Sequence, residues 1–144
     1  MKNKKVYLIL LIIFILSGCT SNNVNEELDN SVTVGGMDGE IIERSEFISD
    51  IVVELYGIDD ATTIILNDTA LIGLKIAYDQ ELTEETIGVI KSMVIEEDPY
   101  ITEVRITNKE KLFSEINNVV NDLLQGKSYD SLVNDINKIK NKIN

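Results

Sequence analysis

The chain has no histidine, no tryptophan, a single cysteine and a single proline in 144 residues. The missing histidine excludes imidazole acid–base catalysis and imidazole metal ligation, and the solitary cysteine excludes intrachain disulfides and Cys–His nucleophile pairs. Positive charge is also short, with 13 Lys and Arg against 25 Asp and Glu and a net charge of −12. A charge of that sign argues against nucleic acid, or an anionic lipid headgroup, as the main partner. Long hydrophobic runs are missing as well. Val6–Leu16 is an apolar stretch of 11 residues, where a membrane-spanning helix needs about 20.

That stretch reads instead as the h-region of a signal peptide. Lys2, Lys4 and Lys5 precede it, and it runs into Leu16-Ser17-Gly18-Cys19, a match to the bacterial lipobox. In a lipobox the small residues admit the peptide to the signal peptidase while the cysteine thiol accepts a diacylglycerol. Cys19, the only cysteine, is therefore the predicted lipidation site and the first residue of the mature chain. Two or three acyl chains, at about 0.8 kcal/mol per buried methylene, make a stable anchor. Cleavage removes three lysines and no acid, taking the net charge from −12 to −15. Lipid rather than charge must then hold the protein on the extracytoplasmic face of the membrane.

Three segments follow: a signal peptide over 1–18, lipidated Cys19 with a flexible tether to residue 39, and a folded domain over 40–144. The tether is polar and aperiodic, with Ser31–Val34 as an alternative edge strand. In the domain, Ile41, Ile48, Val52 and Leu55 share a helical face opposite Glu43, Glu46, Asp50 and Glu54, and Gly57 is placed to follow that helix. Ala61–Leu66 and Ala70–Tyr78 flank the turn residues Asn67-Asp68-Thr69 and predict a β-hairpin. Gly73 falls on the opposite strand face from Ile72 and Leu74, where a glycine marks close backbone approach or a bulge. Thr83 caps a second helix with inward residues Ile87, Ile90 and Val94, ended by Asp98-Pro99. Tyr100–Thr107 alternates as a third strand. Asn108 is a candidate cap for a third helix bearing Leu112, Phe113, Ile116, Val119, Val120, Leu123 and Leu124 and closing at Gly126. Ser128 caps a fourth, with Lys138, Lys140 and Lys142 complementing its dipole. The order α-β-β-α-β-α-α predicts an α+β fold, a small three-stranded sheet with helices packed on one face, similar in element order to BON domains and ring-building motifs.

Catalytic material is confined to carboxylates. Asp59-Asp60, Asn67-Asp68 and Glu96-Glu97-Asp98 lie at element ends, where acids are usually just solvated, and none has the alternating layout of a calcium loop. Neither Ser-x-x-Lys nor Gly-x-Ser-x-Gly occurs. No catalytic residue, metal ligand or cofactor site is assigned.

Asn67-Asp68-Thr69-Ala70-Leu71-Ile72-Gly73-Leu74-Lys75-Ile76 resembles the hairpin signature of the YhcN/YlaJ family of sporulation lipoproteins, a turn followed by Thr-Ala-x-x-Gly-Val-x-Leu. Asp98–Thr107 resembles that family's Asp-x-x-Ile-x-x-Val-x-Val-Thr strand, followed here by Leu112-Phe113 and a helix closing at Gly126-Lys127. The resemblance runs from about Ile41 to the end; a short spacer and the lack of a proline-containing tail depart from it. It implies a non-enzymatic lipoprotein at the inner spore membrane, attached through lipid on Cys19, with a protein partner in the spore envelope and an effect on germination or outgrowth. Two other readings stand beside it: a general envelope lipoprotein of vegetative cells with a self-assembling module, and a carboxylate-dependent cell-wall hydrolase. The sequence specifies no oligomeric state.

Overall fold

A computed structural model describes residues 36–143. The signal segment, Cys19 and the Ser31–Val34 alternative lie outside the described residues. The order is α1 (Gly36–Val53), β1 (Ile58–Leu66), β2 (Thr69–Ile76), α2 (Glu84–Glu97), β3 (Glu103–Thr107), α3 (Glu110–Leu124) and α4 (Tyr129–Lys140), as the pattern predicts. The fold is α+β with a mixed three-stranded sheet.

The helix α1 begins at Gly36, so residues assigned to the end of the tether form its first turn. Its glycines are poor helix formers, and tertiary contacts hold the turn instead. Asp38 accepts a hydrogen bond from the Tyr129 backbone N–H at 3.1 Å, and Ile42 is buried. The inward face is Ile42, Ser45, Ile48 and Val52. Ile41 is only half-buried and Leu55 lies past the helix end. Gly57, at φ +87°, turns the chain into β1 in the left-handed region that glycine enters without steric cost.

Strands β1 and β2 are antiparallel, with Leu66 opposite Thr69 across the two-residue turn Asn67-Asp68; β2 and β3 are parallel, with Thr69 beside Glu103 and Ala70 beside Val104. Thr83 caps α2 through a 3.1 Å bond from the Thr86 N–H. Lys109, not Asn108, occupies the N-cap of α3, and its own N–H is held by the Thr107 hydroxyl. Gly126, at φ +89°, and the Lys127 N–H close α3 on the Leu123 and Asp122 carbonyls.

The sheet is covered on both faces rather than one. On one face Ile64, Leu66 and Leu71 pack with Leu112, Ile116, Val119 and Leu123 of α3 and Leu132, Ile136 and Ile139 of α4. On the other, Ile65, Ala70, Ile72, Leu74 and Val104 pack with Ile48 and Val52 of α1 and Ile90 and Val94 of α2. The α1 helix spans both layers, with Ile42 in the first and Ile48 in the second. The physical cause is in β1 and β2, where consecutive residues of both parities are apolar or Thr and all are buried from Thr62 to Leu66 and from Thr69 to Leu74.

Candidate functional site

The polar residues converge at the end of the sheet where the β1–β2 turn meets the start of β3. Alternation along β3 puts Glu103 and Arg105 on the α4 side. Glu103 accepts from Lys140 Nζ at 2.8 Å and from the Thr69 hydroxyl at 3.0 Å, and its other oxygen takes Arg105 Nε at 2.7 Å. Arg105 Nη1 in turn donates to the carbonyls of Lys140 and Ile143 at the end of α4, both at 3.1 Å. The guanidinium thus caps the C-terminal end of α4, adding to the Ile143 N–H that the Lys140 carbonyl accepts at 3.3 Å. One position upstream, the Thr102 hydroxyl donates to Asp68 in the hairpin turn, whose backbone carbonyl receives the Thr102 and Glu103 N–H groups. The Thr102 hydroxyl also holds the Asp68 carboxyl below its ordinary value.

Lys140, then Arg105 and Thr69, pull the Glu103 carboxyl from its ordinary 4.5 down to about 2. A group with that value is ionised at neutral pH and has no proton to give as a general acid. Because the folded value lies below the unfolded one, the stabilisation is complete above about pH 4.5 and is lost as pH falls through about 2. Thermal unfolding of wild type and Glu103→Gln across that window checks this. The wild-type melting temperature is expected to fall more steeply, and parallel curves would remove Glu103 as a cause.

A second ion pair ties the same segment to α1. Arg44 Nε lies 2.8 Å from Asp98 Oδ2, the Tyr100 N–H reaches the other Asp98 oxygen at 3.1 Å, and the guanidinium sits 5.6 Å from the Tyr100 ring centroid. Residues 98–105 therefore fasten α1, the hairpin turn and α4 to one another.

Beside this segment, β3 is the last strand of the sheet and its outer edge carries no further strand among the described residues. A groove of about 560 Å³ runs between that edge, residues 102–106, and Ile87, Lys91 and Ile95 of α2. Ile87, expected in the core, is half-buried in the groove wall, and Ile95 is exposed.

The three carboxylate clusters do not assemble into one site. Asp60 pairs with Lys75 at 2.7 Å, Asp68 is engaged by Thr102, and Asp98 is buried beneath Arg44. Among the described residues no group of three His, Cys, Asp or Glu is placed to hold a metal ion. Strand alternation alone puts Glu103 and Arg105 on one face. It gives no sign of Lys140, 37 residues away from Glu103, whose local signal is only that of a complement to its helix dipole.

Residues 19–144 match the family described as Sporulation lipoprotein YhcN/YlaJ. The chain belongs to that family. No curated protein matches the chain. In this YhcN/YlaJ member the two segments that carry the resemblance are adjacent parallel strands, β2 and β3, and Phe113 of the Leu-Phe segment packs directly over Gly73. The family-like residues thus form one contiguous unit rather than scattered marks. A lipoprotein family implies attachment to a membrane through lipid, and among the described residues no helix is long and apolar enough to cross one.

Proposed function

We propose that this YhcN/YlaJ protein is a non-enzymatic lipoprotein of the inner spore membrane, held by diacylglycerol on Cys19, whose domain binds a protein partner in the spore envelope and affects germination or outgrowth. The observation that carries the reading is the family match, which opens at residue 19, the one cysteine of the chain and the last residue of its lipobox. The geometry supports a binding role. The ionised groups of the β3 cluster are paired with one another, and the most exposed aromatic rings among the described residues, Tyr56 and Tyr78, flank a single backbone bond, Ala77 N–H to the Gly57 carbonyl. That bond is at the end of the hairpin away from Asn67, and α1 starts near Asn67 with Met37 and Asp38. The two rings therefore stand at the far side of the domain from the point where the tether joins, free to meet a partner.

The test is a chromosomally expressed, epitope-tagged copy followed through growth and sporulation, with dormant spores fractionated into coat, inner membrane and core. Wild type is expected in the inner-membrane fraction of spores, and Cys19→Ala is expected to lose nearly all of that signal. Equal signal in vegetative membranes would replace the spore assignment with a general envelope role, and fragments released from peptidoglycan by the purified protein would overturn the non-enzymatic one.

A further inference from the structure

We infer that two copies of this chain pair through the outer edges of β3, forming a continuous six-stranded sheet about a two-fold axis at Val104. An edge strand presents unpaired N–H and C=O groups that template another strand, and natural proteins cover or blunt such edges. Among the described residues the edge of β3 is open, and it lies beside a groove whose walls include Ile87 and Ile95.

The occupant is specified by charge. A two-fold axis perpendicular to the sheet pairs the strands antiparallel and keeps each residue on its own face, so directly opposed residues share a face. Centred on Val104, the segment Thr102-Glu103-Val104-Arg105-Ile106 is self-complementary. Glu103 of each copy faces Arg105 of the other, Thr102 faces Ile106, and Val104 meets its own symmetry mate. Shifting the axis to Arg105 or to Glu103 opposes like charges, so neighbouring symmetric registers are disfavoured. Glu103 and Arg105 are already fixed on the α4 side by Lys140, Thr69 and the end of α4, which presents them with little ordering cost. Lipid attachment confines copies to one surface and raises their encounter frequency. The pairing does not depend on which membrane holds the chain or on a germination role.

The experiment uses the full lipidated chain in detergent micelles, with two different tags. Wild type is expected to sediment as a dimer and to carry both tags when copies are mixed. Glu103→Arg or Arg105→Glu alone turns both symmetry-related pairs from attractive to repulsive, and each is expected to weaken dimerisation by roughly tenfold or more. Mixing the two reversed chains restores complementarity and is expected to restore the dimer, as a heterodimer. A second measurement does not depend on charge: a Thr102→Cys chain mixed with an Ile106→Cys chain is expected to form an intermolecular disulfide, and Thr102→Cys alone is not. A wild-type chain that stays monomeric, failure of the reversed chains to recover on mixing while circular dichroism shows them folded, or absence of the mixed disulfide overturns the pairing. A monomer would leave the edge to an extended segment of another protein.

Discussion

Replacing Arg44 by leucine is expected to cost about 3 kcal/mol of stability, because it leaves a buried carboxylate without its counter-charge. Asp98 is only 7% exposed. It sits at the C-cap of α2, where the helix dipole already opposes negative charge. Arg44 Nε at 2.8 Å and the Tyr100 N–H at 3.1 Å are the hydrogen bonds that satisfy it. Leucine removes the first and leaves the second, so the buried carboxylate loses its counter-charge and one of these two hydrogen bonds. The Arg44 side chain is a quarter exposed, so the loss belongs at the lower end of the range for buried pairs. Urea unfolding should show a midpoint shift of roughly 2 M at a slope near 1.5 kcal/mol/M. Arg44→Lys should lose less than leucine but still lose, since an ammonium cannot lie flat over Tyr100 while reaching Asp98. Combining Arg44→Leu with Asp98→Leu should return much of the loss, because the apolar pair no longer strands a charge. A single-mutant loss below 1 kcal/mol would mean that water, not Arg44, satisfies Asp98.

The two arginines show how far a sequence can be read and where it stops. Arginine is rare in this chain, two residues against 11 lysines, and both fasten the 98–105 segment, Arg44 through its ion pair with Asp98 and Arg105 through the carbonyls of Lys140 and Ile143. Scarcity of this kind is visible in the sequence, but the partners are not. Asp98 is 54 residues from Arg44, and Lys140 is 37 from Glu103. What is legible depends on a few neighbouring residues: the Thr83 cap, the closure at Gly126, the Asn67-Asp68 turn and the element order. Features set by distant contacts are not. Local pattern starts α1 at Glu40 because Gly36 and Gly39 weaken the helical signal, whereas Asp38 secures that turn on Tyr129, more than 90 residues away in sequence. Ser128 has the residue type of a side-chain cap, yet its hydroxyl makes no capping bond; the Ser131 N–H goes to the Ser128 backbone carbonyl, and the Tyr129 N–H goes to Asp38. Coverage of the sheet on both faces does leave a trace, in the unbroken apolar run Ile64-Ile65-Leu66. Alternation elsewhere in the hairpin masks it.

Gly73 is the position where a local signal and a distant neighbour coincide, and Gly73→Val is expected to destabilise the protein by about 3 kcal/mol. The predicted close backbone approach is present. A Cβ at Gly73 would lie 3.0 Å from the Phe113 Cα, 3.2 Å from Thr62 Cγ2 and 3.3 Å from Phe113 Cδ2. The nearest obstacle is backbone, so a rotamer change cannot relieve it. The α3 helix must move off the sheet, and it carries Leu112, Ile116, Val119 and Leu123 into the first core layer. Alanine at the same place presses on the same helix backbone with a smaller side chain, and its lower unfolded-state entropy returns roughly 0.5–1 kcal/mol, so a net loss of about 1–2 kcal/mol is expected. Gly88 supplies the opposite sign. It is an exposed residue inside α2 with nothing within 4 Å of a new Cβ, and Gly88→Ala should gain roughly 0.5–1 kcal/mol. Trimming the ring separates the two sources of clash at Gly73. Phe113→Leu in the Gly73→Val background removes the clash with the ring but leaves the clash with the α3 backbone, so chemical denaturation should show no recovery. Recovery by more than half would assign the glycine to the Phe113 ring and leave the helix backbone free to sit closer to β2 than this packing allows.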